Sequence, residues 1–201
     1  QWYGVRAANM ARIVADVFGD ETGTRALNVF STQAGWHGLE SYALDASEHV
    51  ALGGAAPRTA PFHVYAIAPY FGGSVGSTDQ AHLVDRWIAM GDEGLDRAIR
   101  YIRNGPSGDS LANIGSTIAY HAAVANSLGW QLEAYEGGQH VVDLDGLFGG
   151  NQDPAQTQFF IDLVRHPGFY DLYIEYFEIW RENGGGLMAQ FSDFVEPSRY
   201  G

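Results

Sequence analysis

The chain has 201 residues, 46% hydrophobic and 13% aromatic, enough to bury a sizeable core and too apolar for a disordered segment. Its formal charge is -13 and all 11 of its cations are arginines scattered along the sequence, which argues against the basic surface that a nucleic-acid partner needs. The absence of cysteine and lysine excludes thiol nucleophiles, disulfides, Schiff bases and a P-loop lysine from these residues, and no apolar run reaches the roughly 18 residues of a membrane span.

The first segment, QWYGVRAANMARIVADVFGDE, sets Val5, Met10, Ile13, Val14 and Phe18 near helical spacing and predicts a helix closed by Gly19. RALNVFSTQAGW then predicts a short buried strand over about residues 26 to 32, a loop holding Trp36 and His37, and a helical stretch to about Leu52. APFHVYAIAPYFGG predicts a second strand ending near Ala68, with a glycine-rich loop after Tyr70. Helices are predicted over about 79 to 103 and 110 to 128. In the second of them Leu111, Ile114, Ile118, Ala125 and Leu128 form one stripe, with Asp109 or Ser110 as cap and Gly129 past the end. WQLEAYEGGQH predicts a third strand over about 130 to 136. A polar loop from about 137 to 153 follows, then a long helical region interrupted at Pro167 and a fourth strand near 186 to 192.

Strands separated by long helical segments predict βα units and a parallel sheet, an order that fits both doubly wound sheets and (β/α)8 barrels. Taking Glu136 as inward gives Trp130, Leu132 and Ala134 the same parity and turns Glu133 and Tyr135 toward the helices. An apolar row topped by a functional group is the pattern of barrel strands, whose active residues sit at the C-terminal ends. The other strand ends carry Gln33, Tyr70 and Asp193.

EAYEGGQH, preceded by APYFGG and followed by GGGLMAQFSD, resembles the second half of a retaining (β/α)8-barrel glycoside hydrolase of the clan with two catalytic glutamates. The resemblance implies that residues 1–201 are the C-terminal half of one catalytic barrel, supplying roughly strands five to eight. It implies Glu136 as nucleophile at the end of the seventh strand and Tyr70 as the sixth-strand tyrosine that supports it. It further implies a β-linked oligo- or polysaccharide substrate, a double-displacement mechanism without cofactor or metal, and a secreted or periplasmic setting. The clan's acid/base is a Glu ending strand four, normally after an Asn, and no Asn-Glu pair occurs in this sequence. That residue is expected in a missing N-terminal half, so the partner is that half-barrel or a second copy of this chain.

Retaining hydrolysis needs two carboxyl groups about 5 to 5.5 Å apart, one ionised and one protonated. Trp36 and Phe71 offer flat faces for sugar C–H groups, while Gln33, His37, His140 and Asp193 offer hydrogen bonds to hydroxyls. Plainer roles are a loop cap for Glu136, an aromatic seal for Tyr70, satellite core for the loop aromatics and an Arg ion pair for Glu133. DLDG at 143 to 146 lacks the spacing of a calcium loop and reads as a solvated turn. One rival is a metal-dependent hydrolase using His37 and Asp193; the other is a non-catalytic carbohydrate-binding or assembly fragment. A half-barrel would leave Leu27, Val29, Val64, Ala66, Leu132, Ala134, Leu187 and Ala189 facing water beside two open edges, and is not expected to be a stable monomer.

Overall fold

Helix α1 (Trp2–Phe18) ends where anticipated, at Gly19, whose φ of 52° is open to glycine and whose N–H donates to Ala15 O. The computed structural model describes residues 1–147, 150 and 153–191. After α1 come β1 (Val29–Ser31), α2 (Leu39–Asp45), α3 (Ser47–Ala51), β2 (Val64–Ile67), α4 (Ala81–Ile88), α5 (Asp92–Asn104) and α6 (Leu111–Leu128). The series closes with β3 (Gln131–Gly137), α7 (Leu144–Leu147), α8 (Pro154–Val164), α9 (Pro167–Glu182) and β4 (Met188–Gln190). Two expected helices are broken: 79 to 103 divides at Gly91, φ 60°, and the stretch to Leu52 divides at the left-handed Ala46, φ 41°. The interruption at Pro167 is a true helix start, with Pro167 in the first turn and the His166 ring capping Gly168 N–H.

The protein is an α/β fold with one four-stranded parallel sheet in the order β1-β2-β3-β4, each strand beside its neighbour in the chain. Two compact units divide the sequence. One holds residues 1–68, 119–135 and 184–188, with most of the sheet; the other holds 69–118, 136–183 and the residues from 189 on.

In the first unit the register decides which residues share a face. Phe30 pairs with Tyr65 and Tyr65 with Leu132, while Ile67 pairs with Ala134. These five side chains are 0 to 4% exposed. They form the helix side of the sheet, where Phe30 meets Tyr3 of α1 at 5.4 Å and Tyr65 meets His121 of α6. Val29, Val64, Ala66 and Glu133 lie on the opposite face. The expected inner row therefore mixed two faces: Leu132 and Ala134 belong with the helices, and Glu133 points away from them. Exposure follows the half-barrel expectation only at the edges, where Leu27 is 45%, Val29 49% and Leu187 71% exposed; Val64, Ala66, Leu132 and Ala134 are buried.

A buried polar chain runs through the helix side. The His121 Nε2 lies 2.9 Å from the Ala34 carbonyl, which can only accept, so Nε2 carries the proton and Nδ1 is an acceptor. Tyr65 O–H therefore donates to Nδ1 at 2.9 Å, and Thr32 O–H donates to the Tyr65 oxygen at 2.5 Å. Burial holds the His121 pKa below its ordinary value, with His37 adding to the effect and the Ala34 bond and Glu40 opposing it. A protonated His121 would turn Nδ1 into a donor and force the chain to reverse.

Because the folded-state pKa lies below the unfolded value of 6.5, the unfolded chain binds more protons as pH falls. The contribution is complete above pH 6.5 and is lost as pH drops from there toward the folded pKa. Denaturant titrations at pH 7.5 and pH 5 are expected to show a loss of stability at pH 5 that is smaller in His121→Gln.

The second unit is built around Phe71, Phe169, Leu172 and Tyr176, all at most 3% exposed. Phe71 lies 4.9 Å from Tyr176, 5.4 Å from Tyr173 and 6.2 Å from Phe169, ring centre to ring centre. The Tyr176 hydroxyl donates to Pro69 O at 2.8 Å, which ties α9 to the segment that opens this unit at Pro69. On the outer side of α9, Tyr170, Ile174 and Phe177 are exposed at helical spacing, an apolar stripe on a solvent face. The four arginine–carboxylate pairs among the described residues, Arg25–Glu21, Arg58–Asp45, Arg97–Glu93 and Arg103–Glu175, lie at least partly in solvent and contribute little.

Candidate active site

Beyond the paired part of the sheet, the backbone of the second unit ties the segment after β2 to the segment after β3. Phe71 N–H donates to Gly138 O and His140 N–H donates back to Phe71 O, both at 2.9 Å. This sets Tyr70 beside the Glu136–His140 segment. Period-two burial holds through Tyr135 and then fails, with Glu136 half-buried and Gly137 buried. Parity counted from Leu132 therefore does not fix where Glu136 faces.

Glu136 is a half-buried carboxylate at the C-terminal end of β3 and, among the described residues, accepts no side-chain hydrogen bond and joins no ion pair. Gly138 has φ 123°, and the Gln190 amide occupies the place a Cβ would take, so the space beside it is filled by protein. Gln190 Nε2 donates to the Tyr173 hydroxyl at 3.0 Å, which also accepts from Gln139 N–H at 3.2 Å. Strand end, α9 and β4 are thereby locked together within this unit.

Tyr70 is half-buried, its ring 5.4 Å from His140 and 6.3 Å from the exposed ring of Phe191. Burial lowers the His140 pKa, against the pull of Asp109, and so favours the neutral ring. Asp109 does not cap α6 with its carboxylate. It accepts from Ser74 N–H at 2.7 Å and Ser74 O–H at 2.6 Å, holding the glycine-rich loop against His140. The main-chain carbonyl of Ser110 accepts at the start of α6 instead.

Phe71 is corrected from surface platform to core residue: it is 0% exposed and its ring faces are covered by α9. Asp193 lies outside the described residues. Gln33, Trp36 and His37 belong to the first unit, on the loop after β1. Gln33 is exposed and its carbonyl accepts from Trp36 N–H at 3.2 Å; Trp36 is 61% exposed. His37 stacks on Tyr120 with ring centres 4.0 Å apart and planes 11° from parallel.

Sequence reasoning missed Glu40, Tyr120 and His121. The usable signal was Tyr-His in the apolar helix STIAYHAAVA, since polar rings on a buried stripe need partners.

No protein-family model, curated protein or solved structure matches the chain. Among the described residues no helix is long and apolar enough to cross a membrane.

Proposed function

We propose that this chain is half of a (β/α)8 barrel that hydrolyses a β-linked glycan with retention, and that Glu136 is its nucleophile. The observation that carries this reading is a half-buried carboxylate at the C-terminal end of a parallel strand with no hydrogen-bond or ion-pair partner among the described residues. Sheet order supports the barrel. Each strand neighbours the next in sequence, without the reversal that creates the ligand crevice of doubly wound sheets. The exposed apolar edge at Leu27 and Val29 supports a sheet that further βα units would extend and cover.

In this mechanism a Glu136 oxygen attacks the anomeric carbon as the glycosidic oxygen leaves, protonated by the acid of the completing half. The glycosyl ester is then released by water, deprotonated by the same group. Neutral His140 and the Tyr70 hydroxyl supply hydrogen bonds beside the nucleophile segment.

Sedimentation at micromolar concentration is expected to show an assembly larger than the 21.9 kDa chain. A monomer that melts cooperatively would overturn the half-barrel. Assaying β-glucan, β-mannan and β-xylan hydrolysis by the completed barrel tests the activity, and undiminished turnover by Glu136→Gln removes the nucleophile assignment.

A further inference from the structure

The loop after β1 is pinned at three points by two adjacent residues of α6 and one buried acid. His121 binds Ala34 O, Tyr120 stacks under His37, and the Gly38 N–H lies 3.0 Å from the Tyr120 hydroxyl and 3.1 Å from Glu40 Oε2. The other Glu40 oxygen accepts from Tyr120 O–H. Glu40 is 2% exposed and has no ion-pair partner among the described residues; its two carboxyl oxygens meet the Tyr120 phenol and the Gly38 amide. Burying a carboxylate this way is costly unless its hydrogen bonds are kept. In the middle of the pinned loop Trp36, the largest side chain available, is 61% exposed instead of folded inward.

We infer that Glu40 is a positioning residue: through Tyr120 and Gly38 it holds the 33–38 loop so that Trp36 and His37 present a preformed face to a pyranose ring. The inference rests on the glycan reading above for its ligand and on the hydrogen-bond geometry for the role of Glu40. The chemistry suits a neutral ligand with one apolar face. The indole covers sugar C–H groups, and the His37 ring, fixed on one side by Tyr120 and met edge-on by His121 at 5.5 Å, keeps its nitrogens for hydroxyls. A loop ordered before binding loses less entropy when the sugar arrives. Glu40 is sealed from solvent and touches no ligand.

Glu40→Gln keeps the shape but presents an amide, which cannot accept from both Tyr120 O–H and Gly38 N–H without turning a donor on one of them. Two readouts on the full chain separate the claims. The His37 ring protons, stacked on Tyr120, should carry an upfield ring-current shift by NMR, and Glu40→Gln should lose it. Affinity for cellohexaose or mannohexaose by calorimetry should fall about tenfold in Glu40→Gln with little change in melting temperature, and should vanish in Trp36→Ala. If Glu40→Gln does not fold, Tyr120→Phe removes the same hydrogen bond while keeping the ring, and is expected to weaken sugar binding likewise. An unchanged His37 shift and unchanged affinity in the folded variant overturn the positioning role, whatever the sugar result. Absence of binding by the wild-type chain, or full binding by Trp36→Ala, overturns the sugar platform.

Discussion

Glu136→Gln should lower glycan turnover by the completed barrel about 10⁴-fold or more, close to 5.5 kcal/mol of transition-state stabilisation, with KM changed little. The amide has the size of the carboxylate but is a poor nucleophile, so the covalent step is lost while the sugar still binds. A 2-fluoro glycoside with a good leaving group should leave a sugar ester on the wild-type protein. Peptide mass spectrometry should place it at Glu136. Glu133→Gln is the internal control: Glu133 pairs with Ala66 in the regular part of the sheet, three residues before Glu136, and its loss should leave turnover near wild type. Equal losses for the two variants would mean that position along β3 does not separate them and that the assignment fails.

The second large effect concerns the scaffold that holds the loop after β2. Gly76 is buried, and a Cβ there would fall inside the van der Waals shell of the Val142 carbonyl oxygen, a backbone atom that cannot rotate away. Gly76→Ala should therefore push the 72–76 turn and the 140–142 segment apart. The cost is expected to exceed about 3 kcal/mol, a fall in melting temperature of about 6–12 °C for a chain of this size. Gly91→Ala supplies the contrast. Its φ is 60° and its ψ -133°, outside the left-handed helical region, with nothing within 4 Å, so only backbone conformation is penalised, at about 1–3 kcal/mol. If the two variants melt together, close approach at Gly76 is not what the loop depends on.

Much of the architecture was legible because local chemistry marks it. Gly19 ends α1, Pro167 opens α9, and the short apolar stretches around Phe30, Tyr65 and Leu132 are strands as predicted. Register was not legible. Tyr65 and Ile67 pair with Leu132 and Ala134, a relation set by packing on helices far away in sequence, and a shift of one residue exchanges the faces of a strand. Val64 and Ala66 are apolar on one face and Tyr65 and Ile67 apolar on the other, so a fully buried central strand gives no clue to which side carries the helices.

The candidate site divides in the same way. Glu136 at a strand end can be read from its place before two glycines, whereas the filling of the Gly138 space by Gln190 depends on β4. Phe71 follows Tyr70 in sequence and looks equally available, yet the rings of α9 bury it. Glu40 and Tyr120 are 80 positions apart, and nothing in the spacing of either announces a shared hydrogen bond.

The sequential strand order also bears on how the chain reaches its fold. Val29 and Val64, partners across β1 and β2, are 35 positions apart, while Val64 and Gln131, partners across β2 and β3, are 67 apart. Loop-closure entropy makes the second pairing dearer by about 0.6 kcal/mol, and every strand must wait for a helical crossover before it can dock. The β1–β2 unit is the natural nucleus, with β3 adding to a template already in place. Until β3 docks, Val64 to Ile67 keeps one open apolar edge, so refolding yield should fall steeply as protein concentration rises.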